Sequence, residues 1–178
     1  MFARLTWTEP MDPNDPQIIF IVDVMLGKLA KWLRVLGLDT RIEHFKDRRH
    51  IESFLAQHLI PVTRTEKWRN IGGLVFIRNN DSFEQLQELL SALNLRPNHI
   101  RPFTRCSICN SVLSPIQKSA AFGNVPDFVF ETAPDFRQCP ECRKIYWPGS
   151  HRDHMLQKLK SLSGWKPDEV LQEYDGKK

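Results

Sequence analysis

Two sets of residues in this 178-residue chain have the types and spacing for chemistry. The first is the complete cysteine complement, four residues in two Cys-x-x-Cys pairs: Cys106/Cys109 and Cys139/Cys142. Four thiolates in two such knuckles match the tetrahedral ligand set of structural Zn²⁺, provided that residues 110–138 fold back to bring the pairs together. That arrangement is a zinc ribbon. A site closed by four protein ligands has no open coordination position, so its metal stabilises structure and does not act on substrate. An iron centre on the same ligands, or two redox dithiols, are the alternatives. Arg143 directly follows the second knuckle, at a turn position where glycine is the less strained residue.

The second set is a series of carboxylates that each follow an expected strand: Asp23, Asp47, Glu66 and Asp81. Parallel α/β sheets carry their functional groups past the C-terminal ends of the strands. Carboxylates converging there could hold Mg²⁺ or Mn²⁺, ions able to activate water for phosphodiester hydrolysis. Asp23 is the strongest candidate, because an acid that ends an all-apolar strand requires compensation. Asp81 also suits a helix N-cap, and Asp47 and Glu66 also suit solvated loops.

Basic residues accompany both sets. Lys28, Lys31 and Arg34 form a stripe on the helix beside Asp23, and Arg64 lies on the same edge. Arg143, Lys144, Trp147 and His151 surround the second knuckle. Lysine and arginine supply phosphate contacts, and aromatic rings supply stacking for unpaired bases, so these residues are candidates for RNA binding. Trp147 equally suits packing within the ribbon. The net charge is +4, and its excess of Lys and Arg falls in residues 96–160, which favours an anionic partner.

The elements that must position these groups follow from hydrophobic periodicity. Ile18–Val22 is an unbroken β-forming run that suits a strand buried on both faces. A helix over 26–36 is capped by Gly37. A strand at 40–45, a helix at 49–58 and a strand at 59–63 follow. A turn at Gly72-Gly73 leads to a strand at 74–78. The helix over 82–93 has Asp81 or Ser82 as its N-cap. Strand–helix alternation over 18–95 predicts a small α/β domain with a mainly parallel sheet flanked by helices. Residues 96–162 form the four-cysteine zinc ribbon module, with β-like runs at 128–131 and 144–147 and a terminal helix at 152–162. Residues 1–17, with three prolines, read as an extended arm, and 163–178 as a tail. The chain is 41% apolar, too much for disorder. No apolar run approaches the roughly 18 residues of a membrane span, and the start lacks the h-region of a secretory signal. The expected location is therefore intracellular and cytoplasmic, and a disulfide framework is a poor account of the cysteines.

With the residues in view, the segment from Ile18 through Asp23 to Gly37 resembles the opening of the Mut7-C RNase domain, a PIN-like fold followed by a zinc ribbon. Val62-Thr-Arg64, Glu84-Gln-Leu86, Arg105-Cys106-x-x-Cys109-Asn110, Phe136-x-x-Cys139-Pro-x-Cys142 and Ile145 to His151 extend the resemblance in order over residues 18–160. It implies a metal-dependent PIN-type ribonuclease, with Asp23 as the first metal-binding acid and Asp47 and Asp81 as matches to later ones. The chain departs at Thr65, where the family typically has Asp, and Glu66 lies one residue out of register. Arg48 and Arg49 stand where further acids are common. The alternative implied is an RNA- or ribonucleoprotein-binding module with impaired catalysis, and a protein partner at the ribbon is a third reading.

Overall fold

The apolar run at the start of the α/β unit forms β1 (Ile19–Asp23). The computed structural model describes residues 18–95 and 100–162. The expected arm at 1–17, the tail at 163–178 and residues 96–99 lie outside the described residues. After β1 come a 3₁₀ turn (Val24–Leu26), α1 (Gly27–Val35), β2 (Asp39–Glu43), α2 (Arg48–Ala56), β3 (Ile60–Thr63), a second 3₁₀ turn (Glu66–Trp68), β4 (Val75–Phe76) and α3 (Ser82–Ala92). The strands pair in the order β2-β1-β3-β4, and every pairing is parallel.

Alternation along β1 explains why the whole run is apolar. Phe20 and Val22 face a layer built from Leu29 and Leu33 of α1 and Leu86 and Leu89 of α3. Ile21 faces the opposite layer, with Phe45, Ile51, Phe54 and Ile71. The central strand is thus covered on both sides, the usual condition of a parallel sheet.

The first helix ends as its sequence predicts. Gly37 has φ +81°, its N–H donates to the Arg34 carbonyl, and the Leu38 N–H donates to the Leu33 carbonyl. These two bonds are a Schellman cap. The returning chain then lies against this cap: the Arg101 N–H donates to Leu36 O at 2.9 Å and the Phe103 N–H to Val35 O at 2.7 Å.

The cysteine-bearing part contains a three-stranded antiparallel sheet of β5 (Ser114–Ile116), β6 (Phe136–Gln138) and β7 (Ile145–Tyr146). Between β5 and β6 lie two short helices, α4 (Lys118–Ala121) and α5 (Asp127–Thr132). The strand expected at 128–131 is therefore corrected to helix. A strand would place Phe128 and Phe130 on one face. Instead Phe128 is 75% exposed, while Val129 and Phe130 both pack on the ribbon core. Pro126 and Asp127 start the helix, positions that suit its first turn.

The terminal helix α6 (Ser150–Lys160) follows the ribbon in sequence but packs elsewhere. Leu159 and Leu162 join the α1/α3 side of the α/β core, as does Ile100. Among the described residues, no helix is long and apolar enough to cross a membrane.

Candidate metal centre and nucleic-acid edge

The four cysteines are brought together. Their Sγ atoms all lie within 4.8 Å of one another, and Cys106 and Cys142 are 3.7 Å apart. Four Zn–S bonds of about 2.3 Å in a tetrahedron require sulfur separations of about 3.8 Å. The donor set and its spacing therefore fit a metal ion such as zinc. Each knuckle is turned the same way. The Asn110 N–H donates to Cys106 O, and the Arg143 N–H donates to Cys139 O. Both residues after the knuckles adopt left-handed backbone, with φ +70° at Asn110 and +63° at Arg143. Asparagine accepts that conformation readily; arginine does so at a cost.

The chemistry at Cys106 favours a thiolate. Burial pushes its thiol up, but hydrogen bonds from the Cys109 N–H, the Tyr146 hydroxyl and the Ile108 N–H outweigh it and bring the pKa down to about 6. The Tyr146 oxygen lies 3.1 Å from that sulfur, and the Cys109 N–H donates across 3.3 Å.

Arg34 is not the surface phosphate contact expected of it. It is 6% exposed, and its guanidinium donates to Thr40 O at 2.9 Å, to Ile108 O at 2.6 Å and to Ser107 O at 3.3 Å. The helical spacing that makes a stripe of Lys28, Lys31 and Arg34 is real, but only the two lysines are exposed. Arg34 sits at the end of α1, where the first knuckle covers it. Arg105, Asn110 and Asp39 complete that junction, and sequence reasoning assigned them no role there. Asn110 alone had a local signal, being an αL-tolerant residue directly after a knuckle.

At the opposite end of the sheet lies Asp23. The strand order reverses between β1 and β3, and ligand crevices of open α/β sheets form outside the strand ends at such a point. Asp23 ends β1 and is 5% exposed. Its carboxylate accepts from the Thr63 hydroxyl at 2.6 Å and the Thr65 hydroxyl at 3.2 Å. Two neutral donors from β3 and its following loop thus provide the compensation the buried acid requires. Neither threonine was singled out as its partner from sequence, because the contact spans some forty residues and leaves no local pattern.

The other three carboxylates do not join Asp23. Asp47 caps α2, accepting from the His50 N–H at 2.8 Å. Asp81 caps α3, accepting from the Phe83 and Glu84 N–H groups. Those bonds, Glu84 first, together with nearby Lys158, hold its carboxyl below the usual aspartate range. Glu66 pairs with Arg69 at 3.5 Å. Among the described residues, the cysteine set is the one group of three or more His, Cys, Asp or Glu close enough to share an ion. The expected convergence of acids on Mg²⁺ or Mn²⁺ is therefore not met by these side chains.

Around Asp23 the edge is open and basic. Val24 and Met25 are 52% and 56% exposed. Lys28 is exposed and Arg64 half-buried, and the Arg64 guanidinium donates to Asn80 of the loop before α3. Lys67 lies 4.2 Å over the Trp68 ring. The remaining candidates belong to the ribbon: Arg143 and Lys144 are exposed beside it, Trp147 is half-buried against its core, and His151 is exposed in the first turn of α6.

The same chain order, from the Asp23 strand through both knuckles to α6, is that of one known family. The model of the Mut7-C RNAse domain matches residues 18–159. The chain belongs to the Mut7-C RNase domain family. No curated protein and no solved structure matches it. Family membership gives this protein a ribonuclease-like, RNA-related setting. The matched span runs into α6 as far as Leu159, which packs on the α/β core.

Proposed function

We propose that this Mut7-C protein binds single-stranded RNA along the C-terminal edge of its parallel sheet, and that a zinc ion in the four thiolates is structural. The observation that carries the reading is the strand-end site at Asp23: one buried acid satisfied by two threonine hydroxyls, with Lys28 of α1, Arg64 and Lys67 of the segment after β3, and the exposed apolar side chains of Val24 and Met25 on the same edge. Cations there would take phosphates, and the apolar surface would take unpaired bases. Among the described residues, no three of these carboxylates lie close enough to share an ion, so no hydrolytic step is assigned to them. Zinc, held by Cys106, Cys109, Cys139 and Cys142, would supply folding energy to a ribbon with a small core. The first knuckle meets the sheet at Asp39 and Thr40, where β2 begins. Asp23 lies where β1 ends, so the metal is at the wrong end of a parallel sheet to act there.

The test is binding and cleavage of single-stranded RNA by the full chain. Affinity should fall steeply between about 50 and 200 mM salt, weaken in Lys28→Glu and Arg64→Glu, and survive Asp23→Ala. Absence of affinity at low salt would overturn the reading. Cleavage that requires Mn²⁺ and disappears in Asp23→Ala would replace it with that of an active nuclease.

A further inference from the structure

Several polar contacts join the first knuckle to the α/β unit, and they converge on the start of β2. This strand is an edge of the sheet, so its outer backbone groups have no strand partner. At Thr40 both are taken. The N–H donates to Asn110 Oδ1 at 3.0 Å, and the carbonyl accepts from Arg34 Nε at 2.9 Å. Asn110 Nδ2 also donates to Asp39 at 2.7 Å, whose carboxylate pairs with Arg105 at 3.3 Å. Arg105 in turn donates to Gly37 O and Asn110 O. At Thr40, Asn110 of the knuckle and Arg34 of α1 thus take the outer groups that a further strand would pair.

That docking depends on the shape of the knuckle. Ser107 O and Ile108 O belong to the two residues between Cys106 and Cys109, and both meet Arg34 within the turn those cysteines bracket. Charge adds to shape. A divalent ion on four thiolates leaves two negative charges in excess, and the buried guanidinium of Arg34 is the cation closest to the first knuckle's carbonyls. Outer groups of this kind orient metal ligands and tune their affinity.

We propose that Arg34 and Asn110 couple the metal centre to edge strand β2, so that the metal-loaded knuckle clamps the sheet and loss of the metal releases it. The inference rests on the reading that zinc fills the four thiolates. Arg34 is then a positioning residue of the metal centre contributed by the α/β unit, and the ribbon is a metal-dependent part of that unit's own sheet. Agents that strip or oxidise the thiolates would act first on the start of β2, at the end of the sheet away from Asp23.

Metal analysis of the full chain comes first, with about one zinc per chain expected; a chain without zinc overturns the inference through its metal premise. Hydrogen exchange of the zinc-loaded chain is then compared with and without a strong chelator. Exchange over residues 39–43 should rise about tenfold or more, while residues 60–63 of β3 stay protected. In Arg34→Met and Asn110→Gly, zinc should pass to a chromophoric chelator about tenfold faster than in wild type, and 39–43 should lose protection with zinc still bound. Asn110→Gly keeps a backbone suited to φ +70° and removes only the side chain, so it remains decisive if Arg34→Met does not fold. Zinc binding with unchanged exchange at 39–43 after chelation, equal loss of protection at 39–43 and 60–63, or wild-type zinc release in Asn110→Gly would overturn the coupling and leave the metal reading standing.

Discussion

Replacing Thr65 by Asp tests the surroundings of Asp23 most directly. The Thr65 hydroxyl lies 3.2 Å from the Asp23 carboxylate, so Thr65→Asp puts two carboxylates against each other at the mouth of the sheet. At about 4 Å and an effective dielectric of about 20, two like charges repel by about 4 kcal/mol. A second limit comes from protonation. Keeping one proton on the pair at pH 7, against an unperturbed pKa of about 3.9, costs about 4 kcal/mol. Asp23 is 5% exposed, but Thr65 is partly open to water, and screening reduces the expected penalty to about 2–3 kcal/mol. Thr65→Val separates the loss of the hydrogen bond, about 1–2 kcal/mol, from the added charge. The assay is chemical denaturation of wild type, Thr65→Val and Thr65→Asp in EDTA from pH 7 to pH 4. In the Asp variant the pair titrates above the unfolded value. Its penalty is therefore absent below about pH 4 and grows as the pH rises toward 7. Mn²⁺ at about a hundred times its dissociation constant would return about 2.7 kcal/mol to this variant and nothing to Thr65→Val. If Thr65→Asp equals Thr65→Val at pH 7 and the two do not diverge with pH, the placement of Thr65 against a buried Asp23 is wrong.

Gly37→Ala should destabilise the protein by at least about 1–2 kcal/mol in denaturant titration, because φ +81° is left-handed and a Cβ would collide with Arg101 O. Arg143→Gly relieves φ +63° and should raise stability by about 0.5–1 kcal/mol, with zinc stoichiometry unchanged by metal analysis. If Arg143 also contacts phosphate, the same variant lowers the salt slope of RNA binding by about one. Asp81 is held below its ordinary range by the N–H groups of Glu84 and Phe83. Its share of stability is present above about pH 4 and lost as the pH falls through the lower folded value. Asp81→Asn should therefore narrow the difference between melting temperatures at pH 7 and pH 3.

Where local pattern and packing agree, sequence reasoning holds. Five consecutive β-formers before Asp23 suit a strand covered on both faces, and Phe20 and Ile21 do face opposite layers. Gly37 caps α1 because only glycine takes that backbone without strain. The cysteines announce their site by spacing, since a tetrahedral ion needs two close pairs. The pattern fails where two readings share one composition. Phe-Val-Phe over 128–130 suits a strand by propensity, but Pro126 and the core beneath Val129 make it a helix.

Which residues exist to do chemistry is a property of the sequence: four thiols in two knuckles, an acid at the end of a buried strand, and a basic surplus. Which of them meet was decided by the tertiary structure. A helical stripe is defined by spacing along one element. What covers it depends on another, and the knuckle more than seventy residues away buries Arg34 while Lys28 and Lys31 stay exposed. In the same way, acids that each follow a strand share an edge by topology. Their side chains then go to the nearest strong donors, which are helix N–H groups for Asp47 and Asp81 and threonine hydroxyls for Asp23. Spacing along the chain carries local geometry. A buried carboxylate's partners are set by distance in space, and those distances exist only once β1 and β3 lie side by side.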